Sequence, residues 1–132
     1  LVPGVLLRNK YLEFICKNIF VKLDNKENLY FKNLEKDVFE FHIAHNEGNY
    51  FCTKDQLKEI QDNNQIAIYY CNKSGQTEEQ YNPNGSIKNI AGIFNKEKNI
   101  LGMMPHPERM IDQSLSGEDG SLFFKNLINN IK

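Results

Sequence analysis

A chain of 132 residues, 40% hydrophobic and 25% charged, has the composition of one globular domain or of part of a larger one. Its 16 basic and 17 acidic side chains nearly cancel, so no net field draws a phosphate backbone or an anionic membrane, and neither nucleic acid nor membrane is expected as a partner. No apolar run approaches the ~20 residues of a membrane helix, and roughly two-thirds of the unfolded surface can leave water at this length, so a core needs no disulfide or metal.

The chain opens on Leu1-Val2-Pro3-Gly4-Val5-Leu6-Leu7, an apolar run broken by a turn signal, with neither a methionine nor a basic leader before it. It reads as a chain whose beginning lies upstream. From Tyr11 to Leu23 the apolar residues alternate, first at Leu12, Phe14 and Cys16, then at Ile19, Val21 and Leu23; the change of phase predicts a bulge near Lys17-Asn18. Asp24 to Glu27 is a turn. Val38 to Ala44 alternates again, with Phe39, Phe41 and Ile43 on one face and Glu40 and His42 on the other, and His45-Asn46-Glu47-Gly48-Asn49 follows as a loop.

Thr53 and Gln56 have the spacing of a capping box, which predicts a helix over Lys54 to Asp62. Ile66 to Cys71 suits a buried strand, and Tyr81-Asn82-Pro83-Asn84-Gly85-Ser86 is dense in turn formers. Ile90 to Phe94 and Ile100 to Met104 are joined by five polar residues, a hairpin length. Ser121 to Ile131 carries Leu122, Phe123, Leu127, Ile128 and Ile131 at helical spacing and is expected to pack on the sheet.

Chemistry concentrates after the last strand, in Pro105-His106-Pro107-Glu108. Proline on both sides favours extended backbone, in which residues i and i+2 point the same way, so Glu108 can reach the His106 ring. A carboxylate on one ring nitrogen fixes the tautomer and leaves the other nitrogen to take a proton from a nucleophile. The pattern alone does not separate such a pair from a surface turn. A zinc deaminase also uses H-x-E, but its later cysteine pair is missing, since no cysteine follows Cys71. His42, His45 and Glu47 lack the helical spacing of H-E-x-x-H, so no metal is expected. Cys16, Cys52 and Cys71 are odd in number and far apart, the usage of reduced thiols in a cytosolic protein. None has small residues on both sides as a nucleophile elbow requires, and all three read as structural thiols.

Leu6-Leu7-Arg8-Asn9, Ile43-Ala44-His45-Asn46-Glu47-Gly48-Asn49-Tyr50-Phe51, Asn82-Pro83-Asn84-Gly85-Ser86 with Asn89-Ile90-Ala91-Gly92-Ile93, and Leu101-Gly102-Met103-Met104-Pro105-His106-Pro107-Glu108-Arg109 occur in that order. Together they resemble the glutaminase subunits of phosphoribosylformylglycinamidine synthases, class I triad-type glutamine amidotransferases of purine biosynthesis. The resemblance runs nearly end to end. It implies an α/β fold of the flavodoxin-like amidotransferase type, a mixed sheet flanked by helices, with residues 1–132 forming the carboxyl-terminal portion of one such domain, incomplete on its amino-terminal side. It further implies a Cys-His-Glu triad in which His106 is the general base and Glu108 its orienting carboxylate, with the cysteine on an elbow upstream of Leu1-Val2-Pro3-Gly4 and so absent from this chain.

The loop His45, Asn46 and Glu47 matches a position that holds the α-amino and α-carboxylate ends of glutamine, partly through backbone groups. Asn46 stands where the family usually has glycine, and asparagine tolerates positive φ. The resemblance implies no cofactor in this chain, ATP and magnesium on a synthetase subunit, a small third subunit as a further partner, and a cytoplasmic location. A fragment of this kind is expected to be inactive alone and to expose a sheet edge and an apolar face. A non-catalytic module that keeps the fold for subunit binding or regulation is the alternative; an elbow cysteine upstream would favour the enzyme.

Overall fold

The computed structural model describes residues 2–114 and 116–132. Among them the strands are β1 (Val5–Leu7), β2 (Ile15–Leu23), β3 (Val38–His45), β4 (Asn49–Phe51), β5 (Ile66–Cys71), β6 (Ile90–Phe94) and β7 (Leu101–Met103). The helices are α1 (Lys54–Asp62) and α2 (Asp119–Ile131). Five strands form one sheet in the order β3-β2-β5-β6-β7, and β1 pairs with β4 in a separate ribbon. Helices on a sheet agree with the expected α/β class. Every described pairing is antiparallel, so the parallel strands of a mixed flavodoxin-like sheet are not among the described residues.

Strand periodicity builds the main core. Phe39, Phe41 and Ile43 enter it from one face of β3, and Ile19, Val21 and Leu23 from β2. The Phe123 ring of α2 closes over them, 6.3 Å from Phe31 and 6.2 Å from Phe41. Each such side chain contributes about 1.5–3 kcal/mol when fully buried. A second cluster, with Tyr50, Ile60, Ile66, Ile90 and Ile93, holds α1 and β4 against β5 and β6. The α1 cap is the expected one: Thr53 Oγ1 accepts from the Gln56 amide at 3.2 Å, and Gln56 Oε1 accepts from the Thr53 amide at 3.0 Å.

Two expectations change. No bulge interrupts β2, which pairs with β3 in unbroken register from Ile15↔His45 to Lys22↔Val38. Ile15, Ile19, Val21 and Leu23 already share one face, while exposed Leu12 and Phe14 precede the strand and Cys16 faces outward. The irregular register lies instead in the β5–β6 pairing, between Ile66 and Tyr69. Helix α2 starts two residues earlier than expected and packs through Gly120 and Phe123, whereas Leu122, Ile128 and Ile131 stay exposed.

Candidate active site

The sheet curls enough to bring its two ends together. β7 lies at one end of the strand order and β3 at the other, yet three residues beyond β7 the His106 amide donates to the His42 carbonyl at 2.7 Å. The two residues form an isolated antiparallel bridge. His106 therefore sits at the seam, fixed to β3 by its main chain. Its Nδ1 lies 2.7 Å from Glu108 Oε1, a charge-assisted geometry in which Nδ1–H donates to the carboxylate and Nε2 keeps its lone pair. Such a pair can accept a proton from a thiol and stabilise the resulting imidazolium.

The contact is the expected one, but the backbone route is not extended. Pro107 opens a 3-10 turn, Pro107–Arg109. Proline suits the first position of such a turn, because its fixed φ is already helical and no amide is wasted. Arg109 donates to the His106 carbonyl at 3.1 Å and Met110 to the Pro107 carbonyl at 3.0 Å, so Glu108 folds back onto the ring. Helix α2 presses on this turn. The Gly120 amide donates to the Met110 carbonyl at 2.8 Å, and a Cβ on Gly120 would lie 1.7 Å from the Pro107 carbonyl oxygen. Glycine is the residue that admits this approach.

His45, expected in the loop, is instead the last residue of β3, so the segment divides into a buried root on the strand and an exposed tip beyond it. His45 is buried; Asn46 and Glu47 are exposed. Burial holds the His45 imidazole below its usual range; its own main chain opposes this, and His106 adds to the lowering, which places the two rings within electrostatic reach. Gly48 lies so close that a Cβ there would be 2.2 Å from His45 Cε1.

Two residues that sequence reasoning did not single out hold this loop. Asn9 is fully buried; its Nδ2 donates to the His45 carbonyl at 2.8 Å and to the Glu13 carbonyl at 2.8 Å, and its Oδ1 accepts from the Gly48 amide at 2.9 Å. Asn84, equally buried, donates to the Tyr70 hydroxyl at 3.0 Å and lies 3.5 Å from His45 Nε2. Ser86 completes the support, its hydroxyl donating to the Gly48 carbonyl at 3.3 Å and accepting from the Tyr50 amide at 3.1 Å. The ordered blocks around Asn9 and Asn84 were the available signal, because apolar periodicity is silent about uncharged polar residues.

The cysteines separate into two kinds. Cys52 and Cys71 are buried, as structural thiols should be, and burial pushes the Cys71 thiol up to about 11 against the opposing charge of Lys22. Cys16 departs from that expectation: it is exposed, with Sγ 3.3 Å from His42 Nε2. Among the described residues no cysteine is hydrogen-bonded to His106. His42 and His45 point to opposite faces of β3, so they cannot share an ion. No group of three His, Cys, Asp or Glu side chains is arranged for a metal among the described residues.

Residues 3–118 match the CobB/CobQ-like glutamine amidotransferase domain. The chain is 73% identical over 132 residues to the phosphoribosylformylglycinamidine synthase subunit PurQ of Pelagibacter ubique (strain HTCC1062), covering all of this chain and 58% of that protein. It is 41% identical over 129 residues to the subunit of the same name from Aquifex aeolicus (strain VF5), covering 97% of this chain and 57% of the other. Among solved structures, PurLQS from Thermotoga maritima superposes with a TM-score of 0.79 at 30% identity, covering 100% of this chain and 55% of that one. The chain thus spans a little over half the length of the relatives it matches. With most of its residues inside the domain match and its fold shared with a solved relative, the chain belongs to the CobB/CobQ-like glutamine amidotransferase family.

Proposed function

We propose that this chain carries the acid–base half of the glutamine-hydrolysing site of a phosphoribosylformylglycinamidine synthase. The carrying observation is the 2.7 Å contact between His106 Nδ1 and Glu108 Oε1 at a backbone-pinned turn. His106 Nε2 takes the proton of a cysteine thiol supplied by an elbow outside this chain, and Glu108 holds the ring and balances its charge. The thiolate attacks the side-chain amide carbon of glutamine; ammonia leaves with the proton from His106, and water activated by the same base hydrolyses the thioester. The exposed tip of the His45, Asn46 and Glu47 loop holds the α-amino and α-carboxylate ends of glutamine.

The ammonia serves a synthetase subunit that binds ATP and magnesium and converts formylglycinamide ribonucleotide to formylglycinamidine ribonucleotide, with a small third subunit completing the assembly. Both relatives named as subunits of that synthase, and the likeness to the solved PurLQS structure, support this reading. No helix among the described residues is long and apolar enough to cross a membrane, and we place the protein in the cytoplasm with the rest of its pathway.

The test is glutamate release by the complete subunit assembled with its partners. His106→Ala is expected to lower kcat by at least about a thousandfold, and Glu108→Ala by less. Full activity in an assembled His106→Ala complex would sink the assignment, and glutamate release by the isolated chain would move the nucleophile inside it.

A further inference from the structure

The outward face of β2 and β3 carries a second constellation, separate from His106. Asn18 stands directly opposite His42 in the strand register, and Cys16, two residues along β2, occupies the neighbouring position on the same face. His42 Nδ1 lies 2.9 Å from Asn18 Oδ1, and Asn18 Nδ2 donates to Glu40 Oε1 at 3.2 Å. The Glu40 carboxylate only accepts, so it fixes which end of the amide faces it and turns Oδ1 toward the imidazole. Nδ1 must then carry the hydrogen. Nε2 is left with its lone pair 3.3 Å from Cys16 Sγ, in position to accept the thiol proton.

A nucleophile, a base and a group that orients the base are thus aligned on an open sheet face. The thiol is exposed, so its reaction partner arrives from solution. We propose that Cys16 is a modification site, an activated surface thiol that is oxidised by hydroperoxides. The Cys16 proton passes to His42 Nε2, and the sulfur attacks the distal peroxide oxygen. An S–O bond forms as the O–O bond breaks, and the departing alkoxide or hydroxide takes the proton back from His42. Sulfur is oxidised by two electrons to sulfenic acid, and the peroxide is reduced to an alcohol or water. Buried Cys52 and Cys71 lack this access. Nothing here depends on the role proposed for His106.

The complete subunit, treated with hydrogen peroxide at neutral pH in the presence of a sulfenate-trapping dione, is sampled over time by peptide mass spectrometry. The adduct is expected on Cys16 ahead of Cys52 and Cys71, at least about tenfold faster than on a peptide of residues 12–20, whose ordinary thiol is only a few per cent thiolate at neutral pH. His42→Ala should fall to the peptide rate, and Asn18→Ala should slow the reaction. A Cys16 that reacts no faster than the peptide overturns the proposal, as does a folded His42→Ala chain with the original rate. Should His42→Ala not fold, Asn18→Ala with unchanged circular dichroism decides, and an undiminished rate there overturns it equally.

Discussion

Asn9 neither titrates nor touches His106, yet two of its three side-chain hydrogen bonds to main-chain groups hold the root of the His45–Glu47 loop, and the third reaches the Glu13 carbonyl. Removing it leaves the Gly48 amide and the His45 carbonyl without this partner in a buried setting. Asn9→Ala should therefore cost about 2–4 kcal/mol, read as a lowered urea midpoint at unchanged slope. His45 supplies a pH dependence whose sign follows from its lowered pKa. Below the ordinary histidine value of about 6.5 the unfolded chain takes up a proton that the folded chain resists, so the stability His45 permits is full above that pH and declines as pH falls through it. Urea titrations at about pH 7.5 and about pH 5.5 should show the loss, and His45→Gln should reduce it. Neither residue is legible from periodicity: a loop histidine reads as exposed until Gly48 and Asn84 are known to enclose it.

At the scale of elements, the seam between β3 and the turn after β7 depends on how closely α2 can approach. The nearest atom to a Cβ on Gly120 is a backbone oxygen, which cannot rotate away as a flexible side chain would. Gly120→Ala should cost more than about 3 kcal/mol by calorimetry, because the helix must retreat from the turn that carries Glu108. Local elements were largely legible. The capping box placed α1, alternation placed β3, and the polar spacer between β6 and β7 gave a hairpin in which Asn95 Oδ1 accepts from the Asn99 and Ile100 amides at 3.1 and 2.9 Å. What local pattern could not show was long-range pairing. The false bulge in β2 came from counting Leu12 and Phe14 as strand residues, and the true irregularity opposite β6 needs the partner strand to be visible. The His106–Glu108 contact was foreseen from spacing, but its 3-10 route was missed because flanking prolines serve a tight turn as well as an extended strand.

For the molecule as a whole, the unfinished business is apolar surface. Val5, Leu6, Leu7, Tyr11, Leu12 and Phe14 are all exposed, and an apolar cavity of about 280 Å³ lies between residues 2–6 and the β6–β7 hairpin. The isolated chain should self-associate at micromolar concentration, seen as a concentration-dependent sedimentation coefficient; a monomer that melts sharply in dilute solution would contradict this. Folding also governs how the chain ages. Asn84-Gly85 is a sequence prone to losing ammonia through attack of the glycine nitrogen on the asparagine side chain. In the folded chain that nitrogen donates to Asn82 Oδ1 at 2.9 Å, while the Asn84 amide is held by Tyr70 and buried. Every excursion to the unfolded state releases both groups and starts a chemical clock. A carboxylate formed there could not donate to Tyr70 on refolding, so transient unfolding would be recorded in the covalent structure as irreversible damage beneath the His45 loop.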